Sequence, residues 1–117
     1  MQNPTAPTIF LASSSQYRRQ LLNRFLDNYE AVDPEVDESN PGNLGPAELA
    51  SDLARKKAEA IAINARKSLV IGADQLAVLD DRVLGKPGNH QRAVEQLLAA
   101  SGKSVTFLTA VCILDPV

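Results

Sequence analysis

The sequence predicts an α/β fold, a mixed sheet flanked by helices, and three observations carry that prediction. Short apolar runs alternate along the chain with stretches whose apolar residues recur at helical spacing, the pattern of layered α/β architectures. Two short apolar runs flank Asp80-Asp81 as in a hairpin, so the sheet is mixed rather than purely parallel. The chain has 117 residues, 44% of them apolar and 22% charged, which suits a single domain over residues 1–117 with one modest core.

The elements follow in order. Residues 1–7, with two prolines, read as a loose lead-in. Thr8-Ile9-Phe10-Leu11-Ala12 is a short buried strand. Three serines lead into a helix with Tyr17, Leu21 and Phe25 on one face and Leu22 beside them, capped by Ser15. Tyr29-Glu30-Ala31-Val32 forms a second strand, and residues 33–46 form a loop rich in proline and acid. Gly45-Pro46 opens a strong helix reaching about Ala65, since proline suits the first helical position. Leu69–Ala73 is a strand ending at Asp74, and Leu76–Leu79 and Arg82–Leu84 make the hairpin. Asn89 caps a third helix with Ala93, Val94, Leu97 and Leu98 inward, and Gly102 stops it. A strand over Ser104–Leu114 closes the chain.

Composition excludes several functions. Twelve basic and fourteen acidic residues leave a net charge of −2, which argues against coating a nucleic-acid polymer. A lone Cys112 within an apolar run excludes an internal disulfide and a multi-cysteine zinc site, and reads as a buried, inert thiol. One histidine, His90, lies in a polar stretch and reads as exposed surface. No apolar stretch is long enough to span a bilayer. The opening Met1-Gln2-Asn3-Pro4 lacks the basic-then-apolar pattern of a secretory leader, so the cytoplasm is the expected compartment.

Chemistry-bearing residues occur in five places. Ser13-Ser14-Ser15-Gln16-Tyr17-Arg18-Arg19 joins a strand to a helix start, where free N–H groups attract phosphate. Two arginines are unusual in a first helical turn, and a bound anion would account for them. The segment fits a capped surface helix with solvated arginines equally well. Lys57 falls within the apolar ridge Leu49, Leu53, Ile61, so it either snorkels to solvent or meets an anion. Asp74 ends an apolar strand, where α/β sheets gather ligands, and could hold a metal or accept a proton. Lys86, in the stiff Gly85-Lys86-Pro87 loop, is either an exposed lysine or a point charge for phosphate. Asp33, Glu35, Asp37 and Glu38 alternate as in a calcium loop. Pro34, Glu38 and Leu44 break that pattern, which leaves a solvated loop or one or two magnesium ligands beside a phosphate chain. Cations for an oligophosphate with carboxylates for a divalent metal suit phosphoanhydride hydrolysis.

Five ordered motifs sharpen this reading: Leu11-Ala12-Ser13-Ser14-Ser15-Gln16-Tyr17-Arg18-Arg19, Pro34-Glu35-Val36-Asp37-Glu38, Ala54-Arg55-Lys56-Lys57-Ala58, Ile71-Gly72-Ala73-Asp74-Gln75 and Leu84-Gly85-Lys86-Pro87. Through them the chain resembles the Maf family of nucleoside triphosphate pyrophosphatases, with a Maf/ITPase-like fold. The resemblance implies hydrolysis of a nucleotide between its α- and β-phosphates, with magnesium or manganese. It makes Asp74 the general base or metal-bound carboxylate, and gives the phosphates to Ser13, Arg18, Lys57 and Lys86. Asp37 or Glu38 would assist at the metal.

Tyr17 and Gln75 speak to substrate. The branch acting on dTTP and UTP typically has Arg and Thr at these positions, so the chain looks like the branch acting on 7-methyl-GTP. That branch usually has Trp where Tyr17 stands, but Tyr17 can still stack on a cationic methylated base. Gln75 offers a donor and an acceptor to a base edge. Gln16 replaces the usual Pro.

The resemblance covers about the first three-fifths of a typical member, so the expected fold lacks the family's C-terminal part and its last strand presents an open edge. The implied partners are a small nucleotide and a second copy in a homodimer, with neither nucleic-acid polymer nor membrane. Two other readings fit the same residues: a non-catalytic nucleotide-binding regulator of septum formation, and an inactive remnant.

Overall fold

The structure is a computed structural model that describes residues 7–62 and 68–115. Its elements run β1 (Thr8–Ala12), α1 (Gln16–Leu22), β2 (Glu30–Val32), α2 (Pro46–Ala62), β3 (Ser68–Leu79), β4 (Arg82–Leu84), α3 (His90–Ala100) and β5 (Thr106–Leu114). The lead-in over residues 1–6 and the expected helical end at 63–65 lie outside the described residues.

All five strands join one mixed sheet built around β3. β1 pairs in parallel with β2 and with the first part of β3, from Thr8↔Ser68 to Ala12↔Gly72. β4 pairs antiparallel with the end of β3, from Ala77↔Leu84 to Leu79↔Arg82. β5 runs antiparallel along β3 from Val70 to Val78. Both shorter partners overlap residues that also pair with β5, so β1 and β4 share the opposite edge of β3. Between Gly72 and Ala77 that edge has no neighbouring strand among the described residues. This gap is the notch in which the site sits.

Helix α2 covers one face of the sheet. Two rows at helical spacing are buried along it, Ala50-Ala54-Ala58 and Leu49-Leu53-Lys57. The alanine row meets the sheet at Gly72, where an added Cβ would press on the backbone of Ala54 and lie 2.7 Å from Ala58 N. Only glycine permits this approach. Ala12, Ala58 and Val70 form the core here, with Phe10, Ile61, Cys112 and Leu114 packed around them. Cys112 is thus half-buried against the core, and His90 is exposed.

Several expectations need correction. The two runs around Asp74 are one twelve-residue strand, so Asp74 lies within β3 and not at its end. The first helix stops at Leu22, leaving Tyr17 and Phe25 exposed and only Leu22 buried. Tyr29 explains the stop, since its hydroxyl lies 3.1 Å from Arg19 O and 2.7 Å from Asn23 Oδ1 and so closes the helix C-terminus. Helix α3, capped by Asn89 as expected, buries none of its residues, and Val94, Leu97 and Leu98 face outward. The last strand begins at Thr106 and not Ser104. The hairpin forms as expected, with Asp80 and Asp81 both at positive φ (50° and 64°), the conformation that two-residue turns between twisted strands require.

Candidate functional site

The notch opens onto a cleft of about 620 Å³, within the range of small-molecule sites. β1 delivers the three serines to its wall. Ser13 is buried: its N–H donates to Val32 O at 2.9 Å and its Oγ accepts the Ser15 N–H at 3.0 Å. Ser15 Oγ accepts the Arg18 N–H at 3.3 Å and caps α1, which turns the Arg18 side chain into the cleft. β4 delivers Lys86 to the far wall through Leu84 and Gly85. Neither Arg18 nor Lys86 has an ion-pair partner among the described residues.

The floor comes from α2 and β3. Because Gly72 lets α2 sit close, Lys57 reaches Asp74 two positions further along β3. Lys57 Nζ lies 2.8 Å from Asp74 Oδ1 and 2.8 Å from Glu38 Oε1. Asp74 is only 5% exposed, and its Oδ2 has no hydrogen-bond partner. A buried carboxylate with one oxygen engaged and the other orphaned is costly to keep without a purpose. The neighbouring Arg55 and Lys56 turn away, both pairing with Asp52, at 2.6 Å and 3.0 Å.

The structure therefore brings Ser13, Arg18, Glu38, Lys57, Asp74 and Lys86 around one cleft. Two other sequence-nominated residues lie apart from it. Asp37 borders a separate depression with Lys56 and Glu59, and its Oδ1 accepts the Ser39 N–H at 2.9 Å. That backbone hydrogen bond lowers its pKa below the usual aspartate value. Tyr17 is exposed and is not among the lining residues. Gln75 lines the cleft, but its Nε2 donates to Thr109 Oγ1 at 3.1 Å. Strand alternation directs its side chain to the face opposite Asp74.

Sequence reasoning missed Gly72, whose missing Cβ sets the Lys57–Asp74 approach. The signal was present as a glycine inside an apolar strand, which marks a close backbone approach. Glu35, nominated only as one member of the acidic run, also lines the cleft. Glu35 sits on the rim at φ 47°, a strained conformation for a residue with a side chain.

The profile of the family described as Maf-like protein matches residues 8–117. A protein named 7-methyl-GTP pyrophosphatase in Pseudomonas syringae pv. syringae is 50% identical over 109 residues, 93% of this chain and 57% of that protein. Its namesake in Pseudomonas aeruginosa shows the same identity and coverage, and that in Cupriavidus metallidurans is 46% identical over 115 residues, 98% of this chain and 58% of its own length. The chain thus spans less than three-fifths of these relatives. The described residues contain no helix long and apolar enough to cross a membrane. A match over nearly the whole chain, falling on the segments that build the cleft, places this protein in the Maf-like family.

Proposed function

We propose that the cleft belongs to a nucleoside triphosphate pyrophosphatase, which hydrolyses the α–β phosphoanhydride to a nucleoside monophosphate and pyrophosphate. The observation that carries this reading is the buried Asp74, with Oδ1 held by Lys57 and Oδ2 unpartnered in a cleft flanked by Arg18 and Lys86. Before substrate binds, Lys57 fixes the carboxylate's orientation, and Oδ2 is left to take a proton from water once the nucleotide is in place. The water oxygen bonds to the α-phosphorus, and the bond from that phosphorus to the bridging oxygen breaks. Arg18 and Lys86 hold the departing pyrophosphate charge, where fixed cations lower the barrier most. Ser13 shapes the wall beside them.

Glu38 and Asp74 fit a magnesium or manganese ion. Two carboxylates converge, one with a buried orphan oxygen, and hard cations of this kind take one or two carboxylates together with substrate phosphates. No cluster of three His, Cys, Asp or Glu ligands gathers among the described residues, so phosphate oxygens and water would complete the set. Asp37, turned toward Ser39, does not join it. Such an ion, when bound, neutralises phosphate charge and acidifies water.

The names of the relatives support 7-methyl-GTP as substrate. The cytoplasm as compartment and a homodimer as assembly belong to the same proposal. The test is pyrophosphate release from 7-methyl-GTP, GTP, dTTP and UTP with magnesium or manganese. Release from 7-methyl-GTP should exceed the others, and Asp74→Asn should lower it by about 10²–10⁴-fold. Preference for dTTP or UTP would overturn the substrate, and release unaffected by Asp74→Asn would overturn the role of Asp74. Nucleotide binding without release would favour the non-catalytic regulator.

A further inference from the structure

Lys57 ties three parts of the molecule together through one ammonium group. Glu38 comes from the loop between β2 and α2, Asp74 from the centre of the sheet, and Lys57 from the helix between them. Lys57 Nζ is 2.8 Å from each carboxylate, and no other cation pairs with either one among the described residues. The carboxylates that fit a divalent metal are therefore already occupied by a resident positive charge. What stays open is Asp74 Oδ2, the orphan oxygen.

We propose that Lys57 is a built-in counter-ion that keeps divalent metal off Glu38 and Asp74 until a phosphate chain offers its ammonium another anion. The inference rests on the pyrophosphatase reading for the nature of the metal and the anion, and deepens it by assigning an order to binding. An ammonium between two carboxylates both engages one oxygen of each and repels an arriving dication. Manganese or magnesium binds poorly where its carboxylates are engaged, because the charge that would draw it is already compensated by the ammonium. A phosphate group entering between Arg18 and Lys86 gives Lys57 a new partner, reached by a small shift of its flexible stem. Both carboxylates then face the metal with their charge uncompensated. Linkage makes the effect reciprocal: metal strengthens anion binding by the same factor as anion strengthens metal binding. Release of Glu38, whose side chain is 55% exposed, also unpins the 33–45 loop from the cleft.

The test measures Mn²⁺ binding to the full chain without nucleotide, by electron paramagnetic resonance of the free ion. Lys57→Met should bind Mn²⁺ about tenfold more tightly than the unmutated chain, or better. Lys57→Arg, which keeps a cation between the carboxylates, should stay as weak as the unmutated chain. Adding Glu38→Gln to Lys57→Met should abolish the gain. A folded Lys57→Met chain, with unchanged circular dichroism, that binds Mn²⁺ no more tightly overturns the proposal. A second measurement needs no variant. Sulfate, an anion for Lys57, should tighten Mn²⁺ binding to the unmutated chain several-fold, whereas chloride at equal ionic strength should not. Absence of that difference also overturns the proposal. Neither readout depends on turnover. A gain in Mn²⁺ affinity without any pyrophosphate release would sink the enzymatic reading alone, and release without the gain would sink this one alone.

Discussion

A methyl group added at Gly72 would press on the backbone of Ala54 and lie 2.7 Å from Ala58 N, so helix α2 would have to move off the sheet. Overpacking of this kind costs about 1–3 kcal/mol. Gly72→Ala should lower the urea midpoint accordingly. Because the displacement also draws Lys57 from Asp74, pyrophosphate release should fall further than the loss of folded protein explains. Gly85→Ala is the stability control, since an added Cβ there meets nothing within 4 Å. Equal stability of the two variants would refute the close-approach argument. Lys57 and Asp74 were legible in the sequence as a cation on an apolar helix ridge and a carboxylate on an apolar strand. Their partnership was not, because it depends on the depth at which α2 sits, and that depth is set by an atom Gly72 lacks. Glu38 and Asp37 were indistinguishable as neighbours in one acidic run. The hydrogen bond from Ser39 N–H to Asp37 separates them.

At the scale of elements, the mixed character of the sheet, the capping residues Ser15 and Asn89 and the Asp-Asp hairpin followed from local pattern, whereas which strands pair, and that β5 runs along β3, did not. β3 was read as two strands because Asp74-Gln75 interrupts its apolar run. A single strand tolerates the interruption because Lys57 compensates the buried charge, a contact made across 17 positions. The helical period of α3 states a face but not what covers it, and no element does among those described. The hairpin turn carries a measurable strain. Asp81 adopts φ 64°, where a Cβ crowds the following carbonyl and glycine is at ease. Asp81→Gly should therefore raise stability by about 1 kcal/mol in urea unfolding, whereas Asp81→Val should lower it. A glycine variant less stable than the original would mean that the aspartate side chain stabilises the turn locally.

The whole molecule measures 53 × 31 × 22 Å with a radius of gyration of 16.5 Å, against about 13 Å for a compact domain of this length. The excess follows from the layering. α2 covers one face of β3 and β5, while the opposite face of β5 presents Phe107, Val111 and Ile113 at 63%, 62% and 64% exposure. Along the free edge of β5, no strand accepts its outward hydrogen-bonding groups among the described residues. Apolar side chains beside an open edge form a template for association, and natural edges avoid it with charge, above all lysine. The chain alone should therefore self-associate through β5: in sedimentation equilibrium its apparent mass should climb above 12.6 kDa as concentration rises. Placing lysines on the exposed face, Val111→Lys with Ile113→Lys, should return it to the monomer mass. Both positions point away from α2, so circular dichroism should keep the wild-type shape. Continued association of that variant would move the contact to the exposed Leu97 and Leu98 of α3, and Leu97→Lys would then be the variant that dissolves it.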